Sequence, residues 1–238
     1  MVYVEHAKFR EPSDDAKIWR YMDLAKLFSL LDSESLYFTR IDKFEDPFEG
    51  VIPPASIAAL RQYASTLPPN ERDKFLRGVE SIGTRLPIRL IGVNCWHLND
   101  YESAAMWRLY LKSNEGVAIQ STHRKLKESL TCEEQVYVGQ VEYIDYDIQG
   151  FSIDNIFNAC LHKRASFAHE RELRAVMLME MEQSHGLNLR IDVRKLVERI
   201  YVAPSSDPWF ADIVRRMVGR LGYDFEVLQS RLDDRPLR

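Results

Sequence analysis

Glu170 and Glu172 stand in the run Ser166-Phe-Ala-His-Glu-Arg-Glu-Leu-Arg174, directly before the apolar stretch Ala175-Val-Met-Leu-Met179. That stretch reads as a buried strand. Side chains on a strand alternate with a period of two, so Glu170, Glu172 and Arg174 are expected on one face. Two carboxylates so placed lie roughly 6–7 Å apart and repel, and holding them there takes a bound cation, a proton or a ligand. A fixed carboxylate pair suits acid–base work and the stabilisation of developing positive charge. The plainer alternative is an exposed, charged strand end with Arg174 as counter-ion.

The elements that must position this pair follow from pattern. Residues 1–16 are polar and expected as a loose arm, with a single domain over 17–238. Ile18–Tyr21 reads as a first strand, and Asp23 is placed to cap a helix running to about Leu31. Leu36–Thr39 is expected as a second strand, followed by a loop, Phe44-Glu-Asp-Pro-Phe-Glu-Gly50. Residues 54–83 carry two helical patterns split at Pro68-Pro69, an inserted hairpin. Further strands are expected at 90–97, 116–120, 135–143, 189–193, 200–202 and 225–228. Helices are expected at 103–110, near 154–164, and from the Asp207-Pro208 cap to Leu221, where Gly222 ends it. Without a regular βαβ rhythm this is an α+β domain.

Composition sets bounds. The 238 residues are 45% apolar and 29% charged, with 32 basic against 36 acidic side chains. A net charge of −4 argues against a general nucleic-acid binder. No run approaches the roughly 18 apolar residues of a membrane span, and the N-terminus shows no signal-peptide pattern. Cys95, Cys132 and Cys160 form no Cys-x-x-Cys pair. A structural zinc site is therefore not expected and a reducing, cytoplasmic setting is.

Four segments taken together resemble a bacterial family catalogued as domain of unknown function 2971. They are Trp19-Arg-Tyr21, the run from Leu36 to Gly50, Cys95-Trp-His97 with Met106-Trp-Arg-Leu-Tyr110, and Phe167 to Arg174. The resemblance covers roughly residues 17–230 and implies no established activity. A second resemblance is one of residue order. ADP-ribosyltransferases carry an Arg or His at the end of a first strand, a Ser, Thr or Tyr on the next, and a Glu or Glu-x-Glu at the start of a later one. Here Arg20, Thr39 and Glu170-x-Glu172 follow that order. The Ser-Thr-Ser run of one branch is replaced by Phe38-Thr39-Arg40.

That resemblance implies a mixed or antiparallel central sheet like the ADP-ribosyltransferase core and NAD as co-substrate, with no metal. Arg20 would pair with phosphate. Tyr21, Phe38, Trp107 and Tyr110 are candidates for the wall against the nicotinamide, and Thr39 lines the same site. Glu172 would stabilise the positive charge that grows on the ribose, and hold a ribose hydroxyl. Glu170 would orient or deprotonate the acceptor, and Arg174 would hold Glu172. The acceptor would be a protein or a nucleic acid. A toxin or phage-defence effector, with a neutralising partner, fits that chemistry. Each residue also has an ordinary reading as core or surface. Two rivals stand beside the transferase. One is a non-catalytic module sensing a ligand or partner. The other is a metal-dependent nuclease or hydrolase using His97, Asp100, Glu102, His162, His169, Glu170 and Glu172.

Overall fold

The computed structural model describes residues 3–85, 88–111, 115–180 and 185–234. In chain order the elements are β1 (Lys17–Asp23), α1 (Leu24–Ser33), β2 (Ser35–Arg40), α2 (Pro54–Ser65), α3 (Pro69–Arg85), β3 (Ile91–Leu98), α4 (Ala104–Tyr110), β4 (Gly116–Thr122) and α5 (His123–Ser129). Next come β5 (Val136–Gln140), β6 (Glu142–Ile144), α6 (Asn158–Leu161), β7 (His162–Arg164) and β8 (Glu172–Leu178). The chain then forms β9 (Gly186–Arg190), α7 (Val193–Leu196), β10 (Arg199–Val202), α8 (Pro208–Arg220) and β11 (Glu226–Gln229). The class is α+β, as expected, with a large, mostly antiparallel sheet. The inserted hairpin is present as α2 and α3.

Nine strands form one sheet in the order β11-β10-β4-β1-β3-β2-β9, with β8 added beside β3 and β5 beside β8. Its centre is β3. One edge of β3 pairs with β8 continuously from Ile91 to His97. The other edge is shared: β2 takes Gly92 and Val93, while β1 takes His97 and Leu98. Between them β1 and β2 part, and Asn94–Trp96 face the gap. Side chains satisfy the backbone there. Arg20 Nη1 donates to the Cys95 carbonyl at 2.7 Å and Asn94 Nδ2 donates to the Tyr37 carbonyl at 3.0 Å. Unpaired buried carbonyls are costly, so these bonds support the split.

One face of the sheet buries Ile18, Met22, Phe38, Trp96 and Leu173 with Leu27, Leu126 and Val214 of the covering helices. The other face holds two smaller clusters, one of Trp19, Tyr21, Met106 and Trp107, one of Phe9, Ile91, Val176 and Leu161. Asp23 caps α1 as expected, accepting from the Lys26 N–H at 2.8 Å. Gly222, at φ 83°, follows α8.

Four expectations change. Glu170 is not on a strand: residues Ala165–Glu170 form a 3₁₀ turn, Arg171 adopts φ 42°, and β8 begins at Glu172. The segment 135–143 is two strands. It breaks at Val141, whose N–H donates to the Glu172 carbonyl, and β6 leaves the large sheet to pair with β7. The helix near 154–164 shrinks to one turn, because Asn155 and Asn158 bond back to the local backbone and 162–164 are taken up as a strand. The strand expected at 189–193 lies at 186–190, and Asp192 instead caps α7. The arm, for its part, is docked. Tyr3 bridges to Val136, and Phe9 is buried against Tyr137 and Phe157. Gly139 lets it approach: a Cβ there would lie 2.9–3.1 Å from Phe9.

Candidate active site in the split of the sheet

A cleft of about 440 Å³ runs through the gap between β1 and β2. By strand alternation Arg20 belongs to the face of Ile18 and Met22, and Glu172 to the opposite face. The cleft reaches both, because its walls come from both sides of the split. Arg20, Tyr21, Thr39, Tyr110, Glu170 and Glu172 all line it. Side chains drawn from residues 20 to 172 on sequence grounds thus converge on one cavity.

Arg20 bonds the Cys95 carbonyl and lies 5.9 Å from the Trp96 ring centroid. Among the described residues no carboxylate lies within 4.0 Å of it. Burial pulls its pKa below the ordinary arginine value. It is a desolvated cation without an anionic partner, beside a cavity. Tyr21 stacks edge-on against Trp107 at 4.9 Å, and its hydroxyl accepts from the Ser103 N–H. Burial raises the pKa of Tyr110, so its phenol stays protonated.

Three sequence-derived candidates sit elsewhere. Phe38 is fully buried in the core. Trp107 is behind Tyr21, its indole N–H donating to Glu102 at 3.0 Å. Arg174 is completely buried behind Glu172 and lines no part of the cleft. Its guanidinium is fully engaged: Nε and Nη2 reach Glu172 at 2.8 and 3.1 Å, Nη1 and Nη2 reach Glu49 at 3.0 and 2.8 Å, and Nη1 reaches the Cys160 carbonyl. A guanidinium so occupied supports the carboxylate and cannot also clasp a ligand.

The cation that the glutamate pair requires is internal. Lys163 on β7 places Nζ 2.5 Å from Glu170, 2.9 Å from Glu172 and 3.2 Å from Glu49. Burial opposes the ionisation of Glu172 most strongly, but Arg174 and then Lys163 overcome it and hold this carboxyl well below the usual range. Burial, then the hydrogen bond and charge of Glu172, push Glu170 up to about 7 against the pull of Lys163. The pair is therefore split into a permanent carboxylate and a group that exchanges a proton near neutrality. Arg171 in the left-handed conformation makes this geometry: it turns the chain so that Glu170 reaches the same ammonium as Glu172.

Sequence reasoning missed Lys163 and Glu49 as members of the site, and named His97 only in the metal-dependent alternative. Glu49 lay in a loop already noted for its acidic residues. Lys163 carried no local signal, since its partners are defined only when β7 docks. His97 is paired across β3 and β8 with Glu172, which puts the two side chains on the same face. Its Nδ1 bonds the Glu170 carbonyl at 2.6 Å. Among the described residues no group of three or more His, Cys, Asp or Glu side chains is arranged to hold a metal ion. Glu49, Glu170 and Glu172 instead meet lysine and arginine.

No family model matches the chain, and no curated protein matches it. Among solved structures it is similar to Thermus sp. 2.9 DarT in complex with ADP-ribosylated ssDNA, at 9% identity over 94% of this chain and 98% of that one, with a TM-score of 0.43. A second structure, Thermus sp. 2.9 DarT in complex with NAD+, gives 8% identity over 93% and 98%, with a TM-score of 0.37. Neither likeness is close enough to carry an argument about this chain.

Proposed function

We propose that the cleft binds NAD and that the protein transfers its ADP-ribosyl group to an acceptor, or to water. The observation that carries this reading is the pairing, across a split sheet, of a half-buried arginine that bonds a backbone carbonyl and has no carboxylate partner among the described residues with a glutamate held ionised by Arg174 and Lys163. Arg20 is suited to a phosphate of the dinucleotide. Tyr21 and Tyr110 offer aromatic walls for the nicotinamide, and Thr39 a hydroxyl. When the bond between the ribose C1′ and nicotinamide breaks, the electron pair leaves with nicotinamide and positive charge grows on C1′. Glu172, kept anionic by Arg174 and Lys163, stabilises that charge. The acceptor oxygen or nitrogen then bonds to C1′ and its proton passes to Glu170, whose affinity for protons suits neutral pH. The acceptor, a protein or nucleic acid, and a role as a toxin or phage-defence effector checked by a neutralising partner, extend this reading.

A second reading has its own support. Glu172 already accepts from Lys163 and twice from Arg174, which occupies most of its acceptor positions. A cleft with so self-contained a carboxylate also suits a module that binds the dinucleotide without cleaving it. Titration with NAD while following thermal unfolding tests both. Wild type is expected to gain roughly 2.7 kcal/mol at a hundred times the dissociation constant, and Arg20→Ala to lose that gain. Absence of any shift at millimolar NAD removes both readings. Binding without nicotinamide release leaves the module. Release that falls about 10²–10³-fold in Glu172→Gln establishes the transferase.

A further inference from the structure

Among the described residues, one wall of the cleft carries a buried acceptor with nothing bonded to it. His97 is 3% exposed and its ring lines the cleft. Nδ1 lies 2.6 Å from the Glu170 carbonyl, and a carbonyl only accepts, so Nδ1 carries the proton. In the neutral ring Nε2 is then a bare lone pair. It is buried, and among the described residues it has no hydrogen-bond partner. Burial lowers the His97 pKa, opposed by the bond to Glu170, which keeps the ring neutral and Nε2 unprotonated at pH 7. Leaving a buried acceptor empty is costly, so a donor arriving there is favoured.

Resting on the NAD reading above, we propose that His97 Nε2 accepts a hydrogen bond from a hydroxyl of the nicotinamide ribose. His97 is thereby a specificity residue for ribose over deoxyribose. The argument is positional. His97 and Glu172 are cross-strand partners, with Cα atoms about 4.5–5.5 Å apart in such pairs. Glu172 is assigned to C1′, and the carbon bearing the 2′-hydroxyl is bonded directly to C1′. A group beside the catalytic carboxylate therefore meets a sugar hydroxyl before any other donor of the ligand. Lys163 and Arg174 already donate three hydrogen bonds to Glu172, so the hydroxyl expected on Glu172 finds its free partner in His97 instead. Tyr21, with its ring 6.2 Å from that of His97, closes the other side.

The two ring nitrogens are separable by substitution. Asn places an amide donor near Nδ1 and offers nothing at Nε2; Gln reaches the Nε2 position with an acceptor. Calorimetric titration with NAD is expected to show His97→Asn binding about tenfold more weakly than wild type and His97→Gln within about threefold of it. With NAD lacking the 2′-hydroxyl of the nicotinamide ribose, wild type and His97→Asn are expected to bind alike. Wild-type affinity for NAD in His97→Asn overturns the proposal while leaving the NAD reading intact. A wild type that binds no NAD removes both. Should His97→Asn fail to fold, nitrogen NMR of wild-type protein labelled at histidine decides. The Nε2 resonance of His97 is expected to move upfield when NAD is added, and a stationary resonance overturns the proposal.

Discussion

Two ion clusters anchor this molecule, and they are built differently. Behind the cleft, Glu49, Lys163, Glu170, Glu172 and Arg174 meet in the interior, and each charge has a partner at 3.2 Å or less. Beneath the N-terminal arm, Glu11 and Asp14 meet Lys127, each 3.0 Å from its ammonium, with Tyr3 bonded to Glu11 and Arg124 beside Asp14 and Asp15. That clasp stands over a fully buried His123, whose Nε2 lies 3.2 Å from Glu11 and whose Nδ1 lies 3.8 Å from Asp14. The first cluster sets the ionisation of two carboxyl groups that line the cleft. The second fastens a segment to the sheet while half in water. The difference teaches that the number of ion pairs says little: burial decides which of them the fold depends on.

The sharpest way to break the comparison is to remove one cation from each cluster. Arg174→Met leaves two buried carboxylates, Glu49 and Glu172, to share Lys163 and is expected to cost about 3–5 kcal/mol. Lys127→Met leaves Glu11 and Asp14 with access to water and is expected to cost below about 1 kcal/mol. Urea unfolding of the two variants measures both. Equal losses would mean that the interior cluster is no more essential than the clasp.

The arm also has an apolar anchor. Gly139→Ala places a methyl 2.9–3.1 Å from Phe9, including its backbone, so the arm must shift. A loss of about 1–3 kcal/mol is expected, together with faster proteolysis within residues 3–16. Unchanged stability would show that the clasp alone holds the arm.

Legibility in the sequence followed range. Asp23 as a cap, the break at Pro68-Pro69 and the alternation of β1 and β2 are local facts, and the chain reads them directly. Arg20, Thr39 and Glu172 were found by residue type and order, which pointed at strands that do flank one cleft. Glu170 was placed on the wrong element because a period of two cannot reveal the left-handed turn at Arg171. Arg174 is expected to hold Glu172 and does, but its second partner, Glu49, 125 positions earlier, leaves no local signal. The arm read as loose because its composition is polar and its one deeply buried side chain, Phe9, depends on the gap left by Gly139. For Arg174 and the arm the deciding contact joins residues far apart in the chain.

The pH dependence is the most discriminating, because the two clusters respond with opposite sign. Glu170 titrates at about 7 in the folded protein against about 4.3 for a free glutamate. Between those values the folded state binds more protons than the unfolded one, so its contribution is complete below about pH 4.3 and is lost as pH rises through 7. His123 is the reverse. Burial and then Lys127 lower its pKa, outweighing Glu11 and Asp14 and a backbone contact at Ser13. Its contribution is complete above the free-histidine value of about 6.5 and is lost as pH falls through the lowered folded value. Glu170→Gln is therefore expected to remove a downward slope of stability between about pH 5 and 7, and His123→Gln an upward slope below about 6.5. Each slope is at most about 1.4 kcal/mol per pH unit, the value for one proton. Urea midpoints taken every half unit from pH 5 to 8 resolve them. If Glu170→Gln leaves the profile unchanged, the proton does not reside on Glu170. The carboxylate pair would then be balanced by Lys163 and Arg174 alone, and the acid–base role assigned to Glu170 would fall with it.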